Sequence, residues 1–180
     1  MEINTLHHLV KSIRDYTSKI DIIDFKLDQI TSLLERYCGE DWYNYIYHNN
    51  PNYTKVKIPL TNANDIFEIY LICWNKGAIS PIHDHSENGC IVKILKGKLN
   101  EFRYNRYEEN NTNTNLFSFF KKKKKNIKND KKNCICYKLE CNTVSYIHND
   151  IAIHQIANSI DDTAYSLHIY SPCNYDANIY

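Results

Sequence analysis

Gly77-Ala78-Ile79-Ser80-Pro81-Ile82-His83-Asp84-His85-Ser86-Glu87-Asn88-Gly89-Cys90 is the stretch that decides how the chain is read. Side chains alternate between the faces of a β-strand, so His83 and His85, one residue apart, are expected on the same face. Two imidazoles are half of a metal site, since a firm site needs a third or fourth ligand. Taken alone, the pair reads equally well as two hydrogen-bonded core histidines. Of the remaining histidines, His7, His8 and His48 fall in a helical region and read as surface residues. His148 lies in an Asn-Asp turn. His154 is the best third ligand, because Ile151-Ala152-Ile153 carries it into an apolar strand. Glu87 would continue the 83–85 alternation, but Ser86-Glu87-Asn88-Gly89 has turn chemistry and predicts an exposed side chain.

Outward from this segment the chain divides in two. Residues 3–48 read as helical, with Leu6, Leu9, Val10 and Ile13 at helical spacing, followed by Ile23, Leu27, Ile30, Leu33 and Leu34. Gly39 is a plausible stop, and Asp41-Trp42 begins a short third helix. From Pro51 onward, runs of Ile, Val, Tyr and Phe alternate with Asn, Gly and Asp clusters. Strands are expected over 56–60, 66–75, 79–85, 89–96, 98–106, 115–120, 133–140, 143–147, 152–158 and 163–171. The fold class is therefore mainly β, a barrel or sandwich with a small N-terminal helical cap. The expected organisation is a single domain over 1–180, with a helical cap at 1–50 and a β-barrel at 51–180. Residues 108–133 are low in complexity and read as a solvated hairpin loop.

Composition excludes several classes. A formal net charge of +1 over 180 residues provides no field directed at nucleic acid or an anionic membrane. The run Lys121–Lys125 has no aromatic interleaving and no second basic cluster, so it reads as part of the solvated loop. No apolar stretch approaches the roughly 20 residues of a membrane span. The first residues lack a basic-then-apolar leader, and an odd count of 7 cysteines suits reduced thiols, so a cytoplasmic setting is expected. Cys134-x-Cys136 with Cys141 has the wrong spacing for a zinc finger. Arg occurs only at 14, 36, 103 and 106, while Lys, Asn, Ile and Tyr abound, so Lys has drifted into places where Arg would serve.

Gly77-x5-His83-x-His85, then Cys90 and Gly97, resembles the first cupin motif, and His154-x3-Asn158 is similar to the end of the second. Cupins normally carry a Glu where Cys90 stands. A Cys there, followed by Ser166-Leu167-His168-Ile169-Tyr170-Ser171-Pro172 and preceded by Leu71-Ile72-Cys73-Trp74, resembles the mammalian-type cysteine dioxygenases over roughly residues 40–176. The resemblance implies a cupin-type jelly-roll barrel and an Fe(II) centre held by His83, His85 and His154, with O2 as co-substrate. Three neutral imidazoles leave the metal its full positive charge and leave coordination positions open for a thiolate and dioxygen. Zn(II) would bind the same ligands but has no redox chemistry with O2. The resemblance also implies a thioether between Cys90 and Tyr170. Ser166, His168 and Tyr170 fall on one strand face by the period of two, so a hydroxyl, an imidazole and a phenol stand in a row suited to a relay.

Family members clamp the substrate carboxylate with an Arg in a Tyr-x-Arg setting, and Tyr53-Thr54-Lys55 stands there in this chain. Lys is a flexible point charge where Arg is a planar fork. The expected function is oxidation of L-cysteine to cysteine sulfinic acid by a monomer that takes a small thiol as its partner and binds neither nucleic acid nor membrane. Alternatives are another small thiol (cysteamine or 3-mercaptopropionate) or a non-catalytic metal-binding cupin.

Overall fold

The computed structural model describes residues 1–20, 25–105 and 134–180. Helix α1 (Leu6–Thr17) forms as its periodicity predicts, with Leu6, Leu9, Val10 and Ile13 all buried. The Thr5 side chain accepts from the His8 amide at 3.1 Å, and Asp41 Oδ2 accepts the Leu6 amide at 2.8 Å. Two of the free amides at the helix start are thereby satisfied. The second helix is much shorter than its apolar pattern suggests. A 3-10 turn over Leu27–Ile30 leads into α2 (Thr31–Glu35), and a further 3-10 turn covers Asp41–Tyr45. The helix ends early because Ile3 draws the following backbone to itself. The Ile3 amide donates to the Arg36 carbonyl, and the Cys38 amide to the Ile3 carbonyl, both at 2.9 Å.

Eight strands follow: β1 (Tyr53–Lys57), β2 (Glu68–Trp74), β3 (Cys90–Lys96), β4 (Leu99–Tyr104), β5 (Cys134–Leu139), β6 (Val144–Ile147), β7 (Ile153–Ala157) and β8 (Ala164–Tyr170). They make a five-stranded sheet in the order β1-β2-β8-β3-β6 and a three-stranded sheet in the order β5-β4-β7. Every pairing is antiparallel. The expected strand at 56–60 begins earlier, at Tyr53, because Tyr53–Lys57 pairs residue for residue with Trp74–Tyr70. The expected strand at 79–85 does not form. That segment touches the rest of the fold through isolated pairings, Ile79 with Ala157 and His83 with His154. Pro81 lacks an amide hydrogen and interrupts any ladder there. The strand expected at 115–120 and the Lys-rich run lie outside the described residues.

The five-stranded sheet is buried on both faces, which is why its strands do not alternate cleanly between apolar and polar. Ile69, Leu71, Cys73, Ile91, Leu167 and Ile169 pack with Leu6, Leu9, Ile13 and the other buried residues of the N-terminal helices. The opposite face joins Ile72, Trp74, Cys90, Val92 and Ile94 to Ile156, Leu99 and Leu139 of the smaller sheet. Among the described residues no helix is long and apolar enough to cross a membrane. Leu167 is fully buried between helices and sheet. Leu167→Ala is expected to cost about 2–4 kcal/mol in urea unfolding, and a loss below about 1 kcal/mol would contradict this packing.

Candidate metal centre

Residues facing the barrel interior follow directly from the strand register. Across β1, β2, β8 and β3 the directly paired residues are Lys55 with Ile72, Ile72 with Ser166, Tyr70 with His168, Glu68 with Tyr170, and Tyr170 with Cys90. Directly paired residues share a face. On the smaller sheet, Arg103 pairs with His154 and Glu101 with Ile156. His154 therefore projects from one sheet toward the row carried by the other.

His83 and His85 reach the same space without a regular strand. The His83 amide donates to the His154 carbonyl at 2.9 Å, and the His154 amide returns a bond to the His83 carbonyl at 3.0 Å. Asn149 clips His85 by its main chain, its Oδ1 accepting the amide at 2.8 Å and its Nδ2 donating to the carbonyl at 2.7 Å. Asp84, between the two histidines, accepts from the Tyr175 hydroxyl and the Asn178 amide, each at 2.7 Å. Gly89 turns the chain into β3 at φ +88°, and a Cβ there would collide with the Ile147 carbonyl oxygen.

The ligand atoms of His83, His85 and His154 lie within 4.8 Å of one another. Hydrogen bonding determines what those atoms can do. His83 Nδ1 faces the Pro81 carbonyl at 3.0 Å, and His154 Nδ1 faces Glu101 Oε1 at 2.8 Å. Both partners only accept, so each Nδ1 carries the hydrogen and each Nε2 presents a lone pair. The two Nε2 atoms stand 3.2 Å apart. His85 has two buried ring nitrogens, neither with a hydrogen-bond partner. Burial, then the neighbouring His154, pushes the His83 pKa down to about 4, and the same causes push His85 lower still. His83 and His85 are therefore neutral at neutral pH. Three converging imidazoles, two of them with no other partner for the inward nitrogen than each other and the third with none, fit a metal.

Glu101 is fully buried and anchors this arrangement. Its Oε2 accepts from Arg103 and Ser145, both at 2.9 Å, while Oε1 holds His154. Burial works to raise its pKa, but His154 and Arg103 outweigh it and keep the carboxylate ionised. This is the carboxylate–histidine pairing that orients metal ligands and raises their basicity. Sequence reading missed it, because Glu101 comes to His154 only through the pairing of β4 with β7.

Ser166, His168 and Tyr170 form the expected row. Trp74 Nε1 donates to Ser166 Oγ at 2.8 Å, and Ser166 Oγ stands 2.8 Å from His168 Nε2. Ser166 accepts from Trp74 and keeps its hydroxyl hydrogen for Nε2, and His168 Nδ1 faces Tyr170 Oη at 3.4 Å. Cys90 Sγ is 3.8 Å from the same Nδ1. Burial pushes the Cys90 thiol and the Tyr170 phenol upward and His168 downward, so all three are neutral. Lys55 is exposed, and its Nζ lies 4.4 Å from the Tyr170 ring centre. Partial burial of the ammonium lowers its pKa, with Cys90 and Glu68 opposing. Tyr53 packs its ring on Trp74, centres 4.9 Å apart. Asn158 is a buried clip, its amide donating to the carbonyls of Trp74 at 3.0 Å and Asp162 at 2.8 Å. Glu87, His7, His8 and His48 are exposed, as expected.

Two facing antiparallel sheets with a histidine cluster between them define a cupin. An oxalate oxidase in complex with glycolate has the same fold, at a TM-score of 0.50 and 14% identity over 73% of this chain and 56% of that one. A conserved protein with a double-stranded β-helix domain from Klebsiella pneumoniae gives a TM-score of 0.52 at 12% identity, over 76% and 91% of the two chains. Within this class the chain belongs to the family described as Cysteine dioxygenase type I, which it matches across residues 1–180. Cysteine dioxygenase type 1 of Danio rerio is 26% identical over 175 residues, 96% of this chain and 77% of that protein. The Rattus norvegicus protein of the same name is 27% identical over 172 residues, 93% and 74% of the two chains.

Glu101→Gln is expected to weaken metal binding by about ten- to a hundredfold in a chelator competition, with the fold retained. An affinity within about threefold of the parent would remove Glu101 from the supporting shell.

Proposed function

We propose that this chain is an iron-dependent thiol dioxygenase that converts L-cysteine and O2 into cysteine sulfinic acid. The observation that carries the reading is the set of three converging imidazoles, with a phenol and a thiol paired across two strands of the facing sheet. The balance is simple: the thiol gains both oxygen atoms of O2, and no external reductant is consumed. When bound by His83, His85 and His154, Fe(II) supplies the redox chemistry that lets O2 react with a thiolate.

The chain's own residues do the rest. Lys55 offers a positive charge to the substrate carboxylate at the mouth of the row, and Tyr53 shapes the wall beside it. Tyr170 holds a hydroxyl over the reacting groups, and its neutral state lets it donate to developing negative charge on oxygen. His168 and Ser166 hold that hydroxyl in place, with Trp74 setting the direction of the bonds. Because Cys90 and Tyr170 are direct partners across β3 and β8, we propose a thioether between Sγ and the phenol ring. Its formation removes the thiol hydrogen and one ring hydrogen, with two electrons passing to O2. The bond would limit the ring's rotation and keep the phenol over the site.

Oxygen uptake with cysteine, cysteamine and 3-mercaptopropionate, with iron quantified on the same sample, tests the reading. Iron-dependent uptake that is fastest with cysteine is expected. Iron-replete protein that consumes no O2 with any of the thiols would favour a non-catalytic cupin. Intact mass after turnover should fall by two hydrogens, mapped to the peptides holding Cys90 and Tyr170, and Cys90→Ala should abolish that loss. An unchanged mass in the active parent would contradict the cross-link.

A further inference from the structure

Lys55 is not held as a flexible surface lysine usually is. Among the described residues it has no hydrogen-bond or salt-bridge partner; what it has is two aromatic faces. Its Nζ lies 4.0 Å from the ring centre of Tyr70 and 4.4 Å from that of Tyr170. The two rings meet edge to face, with centres 5.8 Å apart and planes at 75°. The register explains the meeting. Tyr70 sits opposite Lys57 and His168, one diagonal step from Lys55 on one side and from Tyr170 on the other.

Tyr70 is itself anchored. Its hydroxyl donates to Glu68 Oε2 at 3.1 Å, and Glu68 is 3% exposed. The same oxygen accepts Lys57 Nζ at 2.9 Å, and Oε1 accepts the Asn174 amide at 3.1 Å. Glu68 therefore bonds Lys57 and Tyr70 directly and acts on Lys55 only through space. Aromatic faces attract a cation but accept none of its N–H bonds in the usual sense, so the ammonium keeps its donors for an incoming anion.

We propose that Tyr70 is a specificity-determining residue. With Tyr170 it forms a two-ring cage that holds the Lys55 ammonium where the carboxylate of an amino-acid thiol is received. A guanidinium brings its own planar, preorganised fork to a carboxylate, whereas a lysine has four rotatable carbons and must be held by its surroundings. Tyr70 supplies that hold and acts on the substrate through Lys55. The inference rests on the site being thiol-binding and identifies which thiols it selects.

Anaerobic titration calorimetry on the Fe(II)-loaded protein, with L-cysteine and cysteamine as probes, isolates the effect. The two differ only in the carboxylate. The parent is expected to favour cysteine by about tenfold or more, the scale of one charge-assisted hydrogen bond. Tyr70→Leu removes the ring and should cut the preference to about threefold or less, through weaker cysteine binding with cysteamine affinity held. Tyr70→Met repeats the test with a longer side chain, so that a folding defect in one variant does not decide the outcome. Tyr70→Phe keeps the face and loses only the bond to Glu68, and should restore most of the preference. Three results overturn the proposal: a parent with no preference, a Leu or Met variant that keeps the full preference, or equal loss of both ligands in every variant that folds. A protein that takes up no O2 with any thiol would end the dioxygenase reading and leave this binding comparison intact as the judge of Tyr70.

Discussion

One pair of main-chain hydrogen bonds organises the site. His83 and His154 exchange amide and carbonyl across the gap between a loop and β7, at 2.9 and 3.0 Å. That exchange sets two imidazoles beside each other before any metal is considered. Their outer nitrogens are then committed to acceptors, Pro81 and Glu101, which leaves two lone pairs converging at 3.2 Å. Such an arrangement is unfavourable in the absence of a cation, and the buried His85 nitrogens add to the cost. The fold therefore stores at this point a strong preference for a positively charged ligand.

The rest of the molecule makes that arrangement affordable. The five-stranded sheet is covered on one face by the N-terminal helices and on the other by the smaller sheet, so its central strands cannot easily shift. Ser166, His168, Tyr170, Cys90 and Trp74 all lie on its inner face, and their contacts run in one row from Trp74 through Ser166 and His168 to Tyr170. The neutrality of the thiol, imidazole and phenol follows from burial and leaves the three-histidine cluster with Glu101, and Lys55, to set the local charge.

Much of this was legible in the chain itself. The His-x-His pair, His154 and the Ser-x-His-x-Tyr row are local patterns that can be read without knowing which strands pair. The face shared by Ser166, His168 and Tyr170 followed from the period of two. His83 and His85 converge for a different reason from the one that period suggests. Pro81 breaks the ladder, and Asn149 and Asp84 hold the loop instead. Glu101 reads in sequence as an ordinary strand acid and becomes a supporting residue only through the register of β4 with β7. Tyr70 was hidden for a related reason: β2 is buried on both faces, so no alternation marked which of its residues look inward. The short second helix likewise depended on a distant partner, Ile3, that no local pattern reveals.

The most direct test of the central claim follows the oxygen atoms. The iron-loaded protein is given L-cysteine under 18O2, and the product is weighed by mass spectrometry. The account predicts a sulfinic acid carrying two 18O atoms from a single O2. Cystine, or a product with one labelled oxygen or none, would contradict it.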